Sequence, residues 1–201
     1  MHVIARHHDA IAETVYFIVL ACWLGFGAIL VIGKRGSAPS AQRRDVKSTL
    51  GILLQGAGYG VSFALFRPRF SSLFPMSEVS EIIFAAFTII LALASTWFCY
   101  SAARTLGKQW ALMARVIEGH ELIRVGPYAV VRNPIYLAMF GMLIATVLAV
   151  SRWQAILPAA VVYLSGTFIR IRTEQSLLRA TFGAKFDDYA RRVPAFLPRL
   201  M

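Results

Sequence analysis

Long apolar runs alternate with short basic segments along the whole of this chain. Val15 to Ile32 is an uninterrupted apolar run long enough to cross a bilayer, and Lys34-Arg35 follows it directly. It exceeds a signal-peptide core and reads as a mature helix, preceded by a polar lead from Met1 to Thr14. Thr49 to Phe66 predicts a second span, closed by Arg67-Pro68-Arg69, and Ile82 to Tyr100 a third. Ser101 to Asn133 reads as a long central loop. Ile135 to Val150 and Ala155 to Ile169 are shorter apolar runs with only Ser151-Arg-Trp-Gln154 between them, which predicts a tight helical hairpin with Trp153 at an interface. The helical pattern continues past Ile169 to Phe182, where Gly183 is placed to cap it. The expected fold is all-α and integral to the membrane. It has five transmembrane helices, near residues 15–32, 49–66, 82–100, 135–150 and 153–169, in one domain of 201 residues.

Composition agrees with that pattern. The chain is 58% hydrophobic and 15% charged, too little charge for a soluble domain of this length. Its net charge of +11 would suit a nucleic-acid binder. The charges sit between apolar runs and not on one face of a globule, so the expected anionic partner is the lipid headgroup layer and not nucleic acid. With five spans, seventeen of the 21 Lys and Arg fall in the first and third loops and the C-terminal tail, and four on the opposite side. The positive-inside bias then predicts an outer N-terminus, with the third loop and the C-terminus together in the cytoplasm.

Cys22 and Cys99 each lie within an apolar run and read as small buried hydrophobes, with no metal site. His2, His7 and His8 belong to the polar lead and are expected at the surface. Gly56-Ala-Gly58-Tyr-Gly60 looks like a nucleotide-loop fragment, but no strand precedes it. Gly56 and Gly60 stand one helical turn apart, which predicts close helix–helix contact instead.

Two polar elements remain. The first, Gly119 to Tyr136, contains turn signals at Gly126-Pro127 and Asn133-Pro134, and Pro134 is suited to open the next helix. Its His120, Arg124, Tyr128, Arg132 and Tyr136 would by themselves equally suit a basic, aromatic-anchored interface loop. The second follows the hairpin. Arg170 and Glu174 are four residues apart on one helix face, which Leu177 and Leu178 continue. An interfacial helix meeting lipid phosphates explains its arginines; Glu174 gains little there unless something cationic needs it.

Taken together, Gly126-Pro-Tyr128, Arg132-Asn-Pro-Ile-Tyr136, Glu174, Gly183, Tyr189 and Val193-Pro194 resemble the isoprenylcysteine carboxyl methyltransferase family of integral-membrane enzymes, over roughly residues 120–198. The resemblance implies S-adenosyl-L-methionine as cofactor, enclosed at the cytosolic face by the loop at 101–134 and the helix at 170–201. It implies cofactor contacts from His120, Glu121, Leu122, Ile123, Tyr128, Asn133, Pro134, Ile135, Tyr136 and Glu174, with Arg170 holding the acceptor. The eukaryotic pattern has His where Asn133 stands and often an acid where Gln175 stands, departures that bear on acceptor identity more than on the cofactor. The implied reaction is methyl transfer to a lipophilic acceptor from the bilayer, a carboxylate, thiol or amine. A carboxylate or thiolate acceptor needs no strong base, whereas an amine needs a proton sink, for which Glu174 is suited. An NADPH-dependent membrane reductase and a non-catalytic module binding anionic lipid are the alternatives.

Overall fold

In the computed structural model of the chain the described residues are 2–35, 46–67, 73, 77–107 and 122–198. The expectations placed on His120, Glu121, Pro68, Arg69 and most of the first basic loop lie outside them, as do those on the side chains of His2, His7 and His8. Everything regular among the described residues is helical, apart from one isolated bridge between Phe66 and Ser151.

Seven α-helices follow one another among the described residues: α1 (His2–Arg35), α2 (Val46–Ala64), α3 (Glu78–Leu106), the single turn α4 (Pro127–Val130), α5 (Pro134–Val150), α6 (Ile156–Phe182) and α7 (Ala184–Arg192). A 3-10 turn at Trp153–Ala155 joins α5 to α6. Pro134 occupies the first turn of α5, where its missing N–H is harmless. Gly183 caps α6 at φ 52° and donates its N–H to Arg179 O. Two expectations change. The polar lead is helical and continuous with the apolar run, since neither Pro nor Gly interrupts the chain before Gly25. The third helix runs beyond Tyr100 to Leu106, because Ser101-Ala-Ala-Arg104 carries no breaker until Gly107, at φ 53°.

Among the described residues, three segments are long and apolar enough to cross a membrane: Ala10–Ile32, Glu78–Leu106 and Trp153–Phe182, with α5 a shorter apolar helix beside them. Packing partners give the relative directions. Val15 shares a cavity wall with Phe84 and Thr88, and Gly25 lies beside Thr96, so α1 and α3 run the same way. Leu148 lines the same cavity as Phe84, and Gly141 lies beside Ser95 and Leu91, so α5 runs against α3. Gly51 meets Gly166 while Gly58 meets Ala159, so α2 and α6 are antiparallel. The C-termini of α3 and α6 and the N-termini of α2 and α5 therefore gather at one end.

The opposite end is tied by polar bonds. Arg67 Nη2 donates to Leu148 O at 2.9 Å and Ala149 O at 2.6 Å, holding carbonyls that the end of α5 leaves without helical partners. Arg152 N donates to Leu65 O, and Ser151 Oγ to Ser62 O. These contacts lock the hairpin to the end of α2.

The face that α2 buries differs from expectation. Ser48, Gly51, Gln55, Gly58 and Ser62 form a stripe at alternating spacings of three and four. A Cβ at Gly51 would lie 2.9 Å from Gly166 O, and one at Gly58 would lie 2.9 Å from Tyr163 N. Gly56 and Gly60 have no such neighbours within 4 Å. Gly56 is one residue beyond Gln55, roughly 100° around the helix, and so points off the packed stripe.

Candidate functional site

The two polar elements meet at the gathered end through four side-chain or backbone bonds between sequence-distant residues. Tyr189 Oη donates to Tyr128 O at 2.6 Å, and Arg132 N donates to Pro194 O at 2.9 Å. Asn133 Nδ2 donates to Ala195 O at 2.6 Å, leaving its Oδ1 for other use. Tyr136 Oη donates to Glu174 Oε1. The tail after α7 is held further by Phe196, buried against Phe140 and Phe168 beside Tyr136 and Ile171.

Between these elements lies an open-mouthed cavity of about 80 Å³. Of the residues expected from the sequence, Leu122, Ile123, Tyr128, Asn133 and Glu174 line it. Tyr136 is directly behind Glu174, and Arg170 behind it in turn, each less than a tenth exposed. Pro134 is buried at the start of α5, and Ile135 packs against the apolar core of α1, α3 and α5; neither is a wall of the cavity. Leu106, Arg132, Gln175, Leu178, Phe186 and Tyr189 are walls that sequence reasoning did not assign to the cofactor. Part of that set was signalled: Leu178 lies one helical turn beyond Glu174 on the same face.

The electrostatics of the cavity are those of a polar floor under apolar walls. Arg170 Nη2 stands 3.3 Å from Glu174 Oε1, and its guanidinium carbon lies 4.9 Å from the Tyr136 ring centre. Both bonds to Glu174 fall on Oε1, so Oε2 is left for the cavity. Gln175 Nε2 and Arg132 Nε are buried without a hydrogen-bond partner. Buried donors of that kind are costly unless a ligand or water accepts from them. Arg132 and Arg179 both lie over the Phe186 ring, at 5.7 and 5.5 Å. Burial, with the neighbouring Glu174 and Tyr189 charges, pushes the Tyr128 phenol well above its ordinary value. Burial pushes Tyr189 up to about 12 against the opposing pull of Arg132 and Arg124. Both phenols are therefore neutral hydrogen-bond donors near pH 7.

A site of this composition fits S-adenosyl-L-methionine. Leu106, Leu122, Ile123, Leu178 and Phe186 offer an apolar slot for a purine. Glu174 Oε2 suits an ammonium or ribose hydroxyls, and the orphaned Gln175 and Arg132 donors suit a carboxylate or ring nitrogen.

Comparison with known proteins bears on the same region. The sequence model of the family described as phospholipid methyltransferase matches residues 83–185, half of the chain, from α3 to the start of α7. The nickel-cobalt-cadmium resistance protein NccN of Alcaligenes xylosoxydans is 38% identical over 100 residues, which are 48% of this chain and 45% of that protein. The cobalt-zinc-cadmium resistance protein CzcN of Cupriavidus metallidurans is 36% identical over 107 residues, 48% of this chain and 44% of that protein. The match thus spans less than half the length of each relative.

Proposed function

Because the chain belongs to the phospholipid methyltransferase family, we propose that it transfers a methyl group from S-adenosyl-L-methionine to a lipophilic acceptor at the cytosolic membrane face. The observation that carries the reading is the meeting of Tyr136 and Glu174 at the floor of a cavity walled by both polar elements. The cofactor, when bound, supplies an electrophilic methyl on a sulfonium. Glu174, Gln175, Asn133 and Arg132 would hold its polar groups and the leucine-rich wall its purine, with Tyr128 beside the cation.

What the chain contributes to the reaction is placement and exclusion of water, since methyl transfer is an in-line displacement that needs two reactants aligned. Arg170 docks an anionic acceptor group that arrives from among the helices, on the side of Glu174 away from the cavity mouth. A carboxylate or thiolate acceptor then needs no further base, and an isoprenylcysteine-like carboxylate is one such acceptor. The five alternately directed helices α1, α2, α3, α5 and α6 all cross the bilayer in this reading, with the gathered end in the cytoplasm. The uneven distribution of Lys and Arg supports that orientation. The resistance roles in the relatives' names speak to a physiological setting and not to the bond that is made.

Mass spectrometry of a native membrane-lipid extract, incubated with the purified protein and methyl-deuterated cofactor, tests this. The expected result is a labelled lipophilic product that is absent with Glu174→Ala. No labelled product from any extract fraction would overturn the reading.

A further inference from the structure

We propose that Gln55, on α2 and outside the stretch matched by the family model, is a positioning residue that sets the Arg170 guanidinium against Glu174. The inference rests on the reading of Glu174 as part of a S-adenosyl-L-methionine site, and it concerns how that residue is held. Gln55 is 3% exposed, in the middle of the α2–α6 seam. Its Nε2 donates to Thr167 Oγ1 at 3.0 Å, which fixes the orientation of the amide, and its Oε1 faces Arg170 Nη1 at 3.5 Å. Arg170 in turn reaches Glu174 Oε1 with Nη2 and covers the Tyr136 ring. A chain of contacts therefore runs Thr167–Gln55–Arg170–Glu174–Tyr136 from the inside of the helix bundle to the wall of the cavity.

The helix spacing exists to make that chain possible. Gly51 and Gly166 stand where a Cβ would come within 2.5 Å of Arg170 Cγ and of Gly51 O respectively. Only glycine at both places lets α2 approach closely enough for a glutamine arm to meet the guanidinium. An apolar residue at position 55 would fill the same space and pack as well. What it would lack is an acceptor for Arg170 Nη1 and a donor to Thr167 Oγ1. The polar choice is thus tied to Arg170 and not to packing. Of the groups described against Arg170, Gln55 and the Tyr136 ring are neutral and Glu174 is anionic. Gln55 consequently directs one amino group of the guanidinium inward and leaves the other for Glu174.

The test uses the full chain in detergent, with calorimetric binding of S-adenosylhomocysteine and ¹⁵N spectra of the arginine side chains. The Arg170 signals are identified by their loss in Arg170→Lys. Gln55→Met should weaken binding roughly tenfold, about the size of one hydrogen bond to a charged group, and should collapse the separately resolved Arg170 Nη signals. Gln55→Glu, which keeps an acceptor for Arg170, should retain binding within about threefold and keep the signals resolved. In an Arg170→Met background the effect of Gln55→Met should vanish, as expected for residues acting through one another. If Gln55→Met does not fold, Gln55→Asn, shorter by one methylene, carries the same test. Arg170 signals and affinity that are unchanged by loss of the glutamine amide would overturn the proposal. A wild-type protein that binds no S-adenosylhomocysteine would overturn the cofactor reading instead, and the Arg170 spectra would still judge Gln55.

Discussion

The seam that joins α1, α3 and α5 and the seam that joins α2 and α6 are built from opposite materials. The first is largely apolar, with Val15, Val19, Cys22, Phe26, Ala92, Cys99, Ala138, Met142 and Ala145 buried in one cluster, beside a few buried hydroxyls at Thr88, Ser95 and Thr146. The second is Ser48, Gly51, Gln55, Gly58 and Ser62 against Ala159, Tyr163, Gly166, Thr167 and Arg170. In lipid, apolar side chains gain little by meeting each other rather than acyl chains, so the first seam holds mainly by shape and dispersion, beside a bond from Trp23 Nε1 to Thr146 Oγ1. The second holds by close backbone approach and by hydrogen bonds that hydrocarbon cannot replace. The second seam leads into the cavity through Arg170 and Glu174, whereas the first touches it at the end of α3, where Leu106 is a wall. The contrast teaches that the scaffold and the chemistry are supported by separate sets of contacts, which predicts that they can be damaged separately.

The largest effect should come from Glu174→Ala. Removing one partner of a buried charge pair costs about 2–5 kcal/mol, so S-adenosylhomocysteine affinity measured by calorimetry should fall about 100-fold or more. Folding, followed by gel filtration in detergent, should survive. Next is Gly166→Ala, whose Cβ would sit 2.5 Å from Gly51 O and must push the two helices apart. Overpacking of this kind costs about 1–3 kcal/mol; affinity should drop about tenfold together with thermal stability. Phe196→Ala should be milder, a few-fold in affinity, because the tail keeps its backbone bonds to Arg132 and Asn133 while losing its ring contacts. Met142→Ala, in the apolar seam, should lower thermal stability by about 2 kcal/mol or more and leave affinity within twofold. A strong affinity loss there would break the separation of the two seams.

The smallest effect below alkaline pH belongs to the phenols. Tyr189 has a folded value raised by burial to about 12 from the ordinary 10.0. A raised folded value means stability that is whole below the unfolded value and lost as pH climbs through the folded one. Stability followed by thermal melting should therefore show no tyrosine-linked pH dependence below about pH 10 and should decline from there towards pH 12. A Tyr189→Phe variant should show a smaller decline, since the buried Tyr128 phenol still resists ionisation, while losing the bond to Tyr128 O.

Much of this arrangement was legible in the sequence, and the reasons are local. Pro134 after Asn133 marked the start of α5, and Gly183 marked the end of α6, because each residue has a backbone property that few others share. The joining of Tyr136 to Glu174 followed from motif order, since a hairpin returns the chain to the end it left. What was not legible depends on rotation about a helix axis. Gly56 and Gly60 look like a packing pair until the stripe from Ser48 to Ser62 fixes which side of α2 faces inward. Gln55, in an otherwise apolar helix, acquires meaning only when Thr167 and Arg170 are seen opposite it. Leu106 was hidden for a different reason: a helix end that outruns its apolar segment leaves no mark in hydropathy. Phe186 and Tyr189 reach the cavity only because α7 folds back over α4, a tertiary event.

The central claim is that two segments, parted in sequence by a hairpin, close over one cofactor. Calorimetric titration of the purified protein in detergent with S-adenosylhomocysteine, repeated with Tyr136→Ala, with Glu174→Ala and with NADPH as ligand, tests it most directly. The account predicts saturable binding of S-adenosylhomocysteine to the wild type, loss of that binding in both variants, and no heat of binding from NADPH. Equal affinity in the wild type and both variants, or binding of NADPH alone, would contradict it.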